Sequence, residues 1–354
     1  MQRLNHITIK HGFTTHAVPF EAMASYTPLT QAPRIDDLVL AEVLSIGKHT
    51  TIEGRTGAAM NIFPGDWIMG AFGNRYATDQ FEGYVPEQPI EVCDMLSVGG
   101  VCGQVASAHK SMRTPTRLRV LDGVCDDQGQ LINQRSFGLP LRQSRPHGEL
   151  ILVVGASMNS GKTTTVGALI RALRQAGQCV AAAKVTGTAA SKDCRFFMSC
   201  GANPVLDFTD TGYPSTYMLS LDELRSIYVT LLTHLRAAAP DYTVIEVADG
   251  IFQRETRMLL ESDFLRTTVD HVFFAAGDSL AAECGVRYLR ANDWPLRATS
   301  GVITQIPLAV REEEAVTKTP CLSIDQILSG EALNLMKMGL ALDWGNTTFV
   351  KQVA

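Results

Sequence analysis

The chain has 354 residues, 45% of them hydrophobic and 19% charged, with a formal net charge of −5 at pH 7. That length suggests two globular units with full cores, and the acidic balance argues against bulk attraction to nucleic acid or anionic membrane. No apolar run approaches a membrane span and the first residues carry no signal-peptide core, so a cytoplasmic location is expected.

In chain order, residues 1–145 read as short β-like runs separated by turn chemistry. Examples are "DLVLAEVLSIG", "HTTIEG", "FPGDWIMGAFG" and "TRLRVLDGVCDDQGQLI", with Pro64-Gly65-Asp66 and Asp127-Gln128-Gly129 as turns. This pattern predicts a small β-barrel or sandwich. "LSVGGVCGQVASAHKSM" is rich in small residues and fits either a close-packed turn or a helix start. His6, His11 and His16 have no acidic or Cys companions and read as incidental. The 8 cysteines form no C-x-x-C pair, and Cys194 and Cys200 lack partner ligands at zinc spacing. They read mostly as small buried side chains in a reducing compartment. The stretch "GLPLRQSRPHGEL" (138–150), with two prolines and basic residues, marks a boundary between domains 1–145 and 146–354.

Beyond it, strands and helices alternate. Strands are expected at 151–155, 179–185, 203–208, 242–247, 270–276, 299–304 and 320–324. Helices are expected at 162–176, 190–200, 221–238, 254–265, 279–291 and 325–337, the third opened by the capping box Ser220-x-x-Glu223. The fold class is therefore α/β: a Rossmann-like, mostly parallel sheet preceded by a smaller β-rich domain. Ligands should gather at the carboxyl ends of the strands.

The first of those ends carries the strongest signal. Ile151–Val154 suit a strand buried on both faces. Gly155 follows, then Ala156-x-x-x-x-Gly161-Lys162-Thr163, a phosphate-loop pattern with Ala where Gly is usual. Small residues let the backbone wrap a phosphate and turn its N–H groups inward. Ala156, Asn159, Ser160, Gly161, Lys162, Thr163 and Thr164 are the nucleotide-binding candidates. Lys162 would reach the β- and γ-phosphates, and the Thr163 hydroxyl would ligate Mg²⁺. Val166, Leu169, Ile170 and Leu173 follow at helical spacing, and Ala176-Gly177 stops the helix.

Three further strand ends carry charge. Lys184 ends an apolar strand and needs an anionic partner, either the phosphates or a structural carboxylate. Thr186 and Gly187 follow it as substrate-binding candidates. Glu246 ends "TVIE" and is the preferred metal-associated acid over Asp249 in the next loop. Asp193 opens a helix, where the dipole favours an acid whether or not it binds Mg²⁺. In "LDFTDTGYPSTY" (206–217), Asp207, Asp210, Thr211 and Ser215 are substrate contacts or parts of a plain surface turn.

Residues 150–325 resemble the dethiobiotin-synthetase-like branch of P-loop proteins, which includes the adaptor of molybdopterin-guanine dinucleotide synthesis. Gly155–Thr163 matches the synthetase loop in length, and Lys184-x-Thr-Gly187 is similar to its strand-end lysine segment. "NSGKTTT" and "KDCRFFMSCGA" resemble the adaptor, and "VIEVADG" stands where both families carry an acid. The resemblance implies Mg²⁺–nucleotide binding and a homodimer. Carried over, Lys162 and Lys184 would contact phosphates, with Thr163, Asp193 and Glu246 around Mg²⁺; the catalytic set would be Lys162, Lys184 and Glu246. Val247 departs from the glycine that commonly follows the acid, and residues 1–140 match neither family. No guanine-reading Asn-Lys-x-Asp occurs, and Thr304 and Gln305 occupy the adenine-reading position, which favours ATP over GTP. Three functions follow. The first is a Mg²⁺–ATP enzyme that phosphorylates or activates a small carboxylate. The second is a nucleotide-switched adaptor, and the third an acyltransferase whose loop cradles coenzyme A.

Overall fold

The computed structural model describes residues 2–3, 9–143 and 147–338; His6 lies outside them. Five strands of the N-terminal half form a closed ring: β1 (Leu38–Ser45), β2 (Trp67–Phe72), β3 (Val92–Met95), β4 (Val101–Ala108) and β5 (Thr116–Cys125). β1 pairs with β2 and β5, β2 with β4, β4 with β3, and β3 with β5. Closure settles the expected alternative of barrel or sandwich as a barrel, and it removes the sheet edges that an open sheet must protect. β1 is apolar almost throughout because both its faces are covered. Val39, Ala41 and Val43 pack with Ile68, Phe72, Met95 and Leu118, while Leu38 and Leu40 pack with Met69, Val124 and the preceding Val18 and Met23. The small-residue run that fitted a turn or a helix start is a turn at Gly99-Gly100 leading into β4. A Cβ on Gly99 would sit 2.2 Å from the Ala189 carbonyl oxygen, so the run lets the barrel approach the C-terminal half closely.

That half is a six-stranded parallel sheet of β6 (Glu149–Gly155), β7 (Val180–Lys184), β8 (Val205–Asp207), β9 (Tyr242–Glu246), β10 (His271–Ala275) and β11 (Leu296–Ser300). The order is β8-β7-β9-β6-β10-β11, which puts the loop-bearing β6 near the middle. Strand residues alternate between two cores. Ile151 and Val153 face helix α1 (Lys162–Gln175), whose Val166, Leu169, Ile170 and Leu173 are fully buried, as the spacing predicts. Leu150, Leu152 and Val154 face α3 (Leu221–Arg236) and α5 (Ser279–Ala291) across the sheet. Helices α2 (Lys192–Cys200) and α4 (Arg254–Leu260) follow β7 and β9. The expected α/β class with a mostly parallel Rossmann-like sheet is what the chain adopts.

Several boundaries differ for identifiable reasons. The strand expected at 299–304 ends at Ser300, because Gly301 (φ 102°) turns the chain into a 3₁₀ helix, Val302–Gln305. β-branched Val302, Ile303 and Thr304 suggest a strand, but the glycine decides. The next segment, Pro307–Thr317, is a helix, α6, that the alternation did not predict; Pro307 at its first turn was the available sign. Residues 320–324 make only one bridge, Thr299 to Cys321, and Ser323 caps α7 (Ile324–Leu328). Gly330 (φ 96°) separates α7 from α8 (Glu331–Lys337), where one helix was expected. The helix expected at 254–265 likewise breaks, with a separate short helix at Asp263–Arg266.

The barrel sits over the loops at the carboxyl ends of β7 and β8. Arg195 donates to the Gly57 carbonyl at 2.7 Å, the Ser191 amide to Glu53 at 2.6 Å, and Ser97 to the Ala189 carbonyl at 3.1 Å. Arg135 pairs with Glu223 at 2.8 Å, and His16 contacts Asp210 at 3.2 Å. His16 is therefore not incidental. Although burial lowers its pKa, Asp210 outweighs that and holds the imidazole above its usual value.

Candidate functional site

The phosphate loop joins β6 to α1 with its backbone already bent. Asn159 (φ 60°) and Gly161 (φ 101°) take left-handed conformations that Asn tolerates and Gly favours. A Cβ on Gly161 would meet the Gly301 Cα at 2.7 Å, and the Val302 amide donates to the Ser160 carbonyl at 3.0 Å. The turn carrying Thr304 and Gln305 is thereby fixed against the loop. On the other side, a Cβ on Gly250 would lie 2.2 Å from the Ala156 carbonyl oxygen, so the loop after β9 also abuts it. Thr163 is half-buried, and Ser157, Asn159 and Thr164 are exposed, which leaves the loop open to an incoming ligand.

Lys162 is buried and donates from Nζ to the Ser157 carbonyl at 2.8 Å, so it folds back across its own loop. Burial lowers its pKa, opposed by Glu246 and Asp249. Lys184 and Glu246 are register partners at the ends of β7 and β9. The Lys184 ammonium pairs with Asp193 in the first turn of α2 and lies 3.7 Å from Glu246 Oε1. Burial alone would lower the Lys184 pKa, but Asp193 and Glu246 outweigh it and hold it well above its usual value. Glu246 is 2% exposed. Burial pushes its carboxyl up, while Lys184, Lys162 and the Thr163 hydroxyl favour the charged form. Two polar atoms here are buried without a hydrogen-bond partner: Glu246 Oε2 and Ser160 Oγ. Such orphans are costly unless a ligand or water completes them.

The residues present fit Mg²⁺. The ion favours oxygen donors and keeps several waters, taking one or two carboxylates plus substrate phosphates rather than an all-protein cage. An orphaned Glu246 oxygen near the Thr163 hydroxyl is such a partial set. Among the described residues no cluster of three or more His, Cys, Asp or Glu could hold a metal. Asp193 is engaged by Lys184, so its place in the first helical turn and its place in the charge cluster coincide.

The other sequence candidates serve mainly to link loops. Thr186 Oγ1 accepts from the Ala248 amide at 2.8 Å, and the Gly187 amide donates to Thr216 Oγ1 at 2.9 Å. Asp207 and Asp210 close a capping box around the 3₁₀ helix Phe208–Thr211, and Thr211 donates to the Phe208 carbonyl at 2.7 Å. Ser215 is buried and bridges to Thr188. Sequence reasoning underrated Asp249, whose raised pKa comes from burial and is opposed by Lys162 and Lys184. It missed a barrel loop altogether. Asp79 accepts from Asn159 at 2.9 Å, so the barrel touches the phosphate loop directly. The sign was "GNRYATDQ", a polar, charged stretch directly after a buried strand.

No family model matches the chain, and no curated protein matches its sequence. Among solved structures it is similar to the signal recognition particle 54 kDa protein from Aeropyrum pernix K1 in complex with GDP, at 16% identity and a TM-score of 0.37, over 55% of this chain and 50% of that one. It is also similar to the signal recognition particle receptor FtsY from Elizabethkingia anophelis in complex with GDP, at 16% identity and a TM-score of 0.37, over 51% and 58%. Chloroplast FtsY from Physcomitrella patens follows at 15%, 0.37, 55% and 67%. The chain thus spans about half to three fifths of the first two. None of these is a dethiobiotin synthetase or a molybdopterin adaptor, so that narrower resemblance stays with the sequence motifs. What the chain itself shows is a strand, a glycine-bearing loop and a helix within a parallel sheet, with charged strand ends beside them. No helix among the described residues is long and apolar enough to cross a membrane.

Proposed function

We propose that the chain is a Mg²⁺-dependent P-loop phosphotransferase that uses ATP and passes its γ-phosphoryl group to a small acid. The carrying observation is the buried, unpartnered Glu246 Oε2, set among Lys162, Lys184 and Thr163 at adjacent strand ends. Bound Mg²⁺ would neutralise charge on the β- and γ-phosphates. Lys162 would leave the Ser157 carbonyl for those phosphates, and Lys184 would add a second positive charge held in place by Asp193. An acceptor oxygen would attack the γ-phosphorus, the bond to the β-phosphate oxygen would break, and ADP would leave with the electron pair. Fixed charges of this kind act without reorganising during the reaction. The preference for ATP rests on Thr304 and Gln305, whose turn packs on Gly161, and on the lack of an Asn-Lys-x-Asp sequence. In this reading residues 1–145 form a domain that covers the acceptor side.

The test is thermal stability with ATP, GTP and coenzyme A, each with and without Mg²⁺. Ligand at about 100 times its Kd stabilises by roughly 2.7 kcal/mol. A Mg²⁺-dependent shift with ATP is expected. A shift with GTP alone would overturn the base assignment, and one with coenzyme A alone would overturn the phosphotransferase.

A further inference from the structure

Between the barrel and the loop that follows Lys184 lies a cavity of about 390 Å³. Lys48, His49, Arg75 and Gln80 line it from the barrel, and Thr188 lines it from the loop. Not one lining residue is acidic. Arg75 is only 7% exposed, and among the described residues no carboxylate lies within ion-pair distance of it. Its Nη2 donates to Gln80 Oε1 at 2.8 Å, but its buried Nε has no partner. The remaining contact is 3.5 Å from Nη1 to His49 Nε2. That same Nε2 lies 3.2 Å from the Leu96 carbonyl oxygen, which can only accept. The proton therefore sits on Nε2, and Nε2 cannot also accept from Arg75. A buried guanidinium is thus left short of acceptors at two nitrogens, an expensive state for a charged donor.

The charge balance narrows what completes it. Burial and the neighbouring Arg75 push His49 down to about 4, so the imidazole is neutral at pH 7. Burial lowers Arg75 to about 10, opposed by Asp79 and Asp249 at longer range, so it stays charged. The buried positive charge is a planar fork, which matches a carboxylate's two oxygens, while Lys48 adds an exposed charge that stays in solvent. The rest of the wall, with Gln80 and Thr188, suits a polar body on the same molecule.

We propose that this cavity binds the carboxylate of a small organic acid, with Arg75 as its anchor. The ligand's role as phosphoryl acceptor rests on the reading of the adjacent phosphate loop; its binding does not. The experiment is calorimetric titration of the full chain with lactate, succinate and glutamate, with lactamide and succinamide as uncharged counterparts and inorganic phosphate as a control. At least one carboxylate should bind, and its amide should not. Arg75→Gln should weaken that binding about 10- to 100-fold, the loss of a charge-assisted hydrogen bond. Thr50→Trp, at an exposed rim position, should obstruct it without touching the buried charge, which covers the case that Arg75→Gln does not fold. The proposal is overturned if no carboxylate binds, if phosphate binds instead, or if both variants bind like the unaltered chain. Lys162→Ala separates the two readings. It should lose the Mg²⁺–ATP shift and keep carboxylate binding. Carboxylate binding in a chain that never responds to nucleotide would sink the phosphotransferase and leave this cavity standing.

Discussion

The parallel sheet buries its central strands on two faces, whereas the barrel does so at β1 and leaves parts of β4 and β5 exposed, and the difference decides where chemistry can sit. The barrel closes on itself and leaves no free edge, and its long connections, 46–66 and 73–91, are what reach outward. The parallel sheet is open and covered by helices, so all its strands end on the same side. Lys184, Glu246 and the phosphate loop meet there because β7, β9 and β6 are adjacent in that order. Among the described residues, the barrel reaches the phosphate loop through Asp79 and the adjoining cavity through Arg75. On the proposed reading, catalytic charge belongs to one region, and coverage and acceptor binding to the other.

The hardest blow to that division would come from Lys162→Ala. If phosphate chemistry belongs to the sheet, turnover should fall by about 1000-fold or more. The melting temperature should hold or rise, since the substitution removes a charge that burial already disfavours. Surviving turnover in a steady-state ATPase assay would place the chemistry elsewhere. Lys184→Ala should act on the fold instead. It leaves Asp193 and buried Glu246 facing each other without their shared cation, and breaking such a cluster costs about 3 kcal/mol. Urea midpoints would show it, and a midpoint unchanged from the parent would mean that solvent screens the cluster.

The two regions also differ in how much of them is legible in the sequence. Buried parallel strands announce themselves, because Ile151–Val154 can be apolar at every position only if both faces are covered. Phosphate loops are as legible, since few other uses require small residues ending in Gly-Lys-Thr beside a strand. β1 of the barrel carries the same apolar signature, Leu38–Ala41, but nothing in it says which strands will close the ring. Pairings such as β3 with β5 are long-range and have no local sign. The same holds for Arg75 and His49. Each is an ordinary polar residue in a loop, and nothing local shows that both will line one cavity with Thr188–Ala190. Asp210 and Thr211 illustrate the converse. Acid and hydroxyl in a loop suggested substrate contact, but a three-residue spacing from Asp207 also makes a capping box, and the local bond forms.

A second buried acid tests whether Glu246 is special. Glu313, on α6, is fully buried; its Oε1 accepts from Thr299 and Thr317 at 3.1 and 3.0 Å, and its Oε2 has no partner. Burial raises its pKa from 4.5 to about 7, against a weaker opposing pull from Arg290. The folded chain therefore binds the extra proton between those values. The stability this contributes is complete below pH 4.5 and is lost as pH rises through 7. Glu313→Gln should remove that slope and make the chain about 2 kcal/mol more stable than its parent at pH 8 relative to pH 5. Urea midpoints at the two pH values measure it. Equal slopes would mean that water reaches Glu313 and that an orphaned oxygen is no mark of a ligand, which would weaken Glu246 as well.

The smallest effect is expected at the seam between the regions. Asn159 donates to Asp79 across an exposed gap, one hydrogen bond worth about 0.5–1 kcal/mol. Alanine at φ 60° would add backbone strain of its own, so Asn159→Gly isolates the side chain. If the barrel only covers the site, stability should fall by no more than that and the Kd for Mg²⁺–ATP should move less than about fivefold. A much larger change in nucleotide affinity, mirrored by Asp79→Asn, would mean that the phosphate loop and the barrel are coupled through this contact. Coupling of that kind is reciprocal, so whatever then docked on the barrel would sense the nucleotide. The molecule would then be better read as a switch that reports its nucleotide to a partner than as an enzyme with a cover.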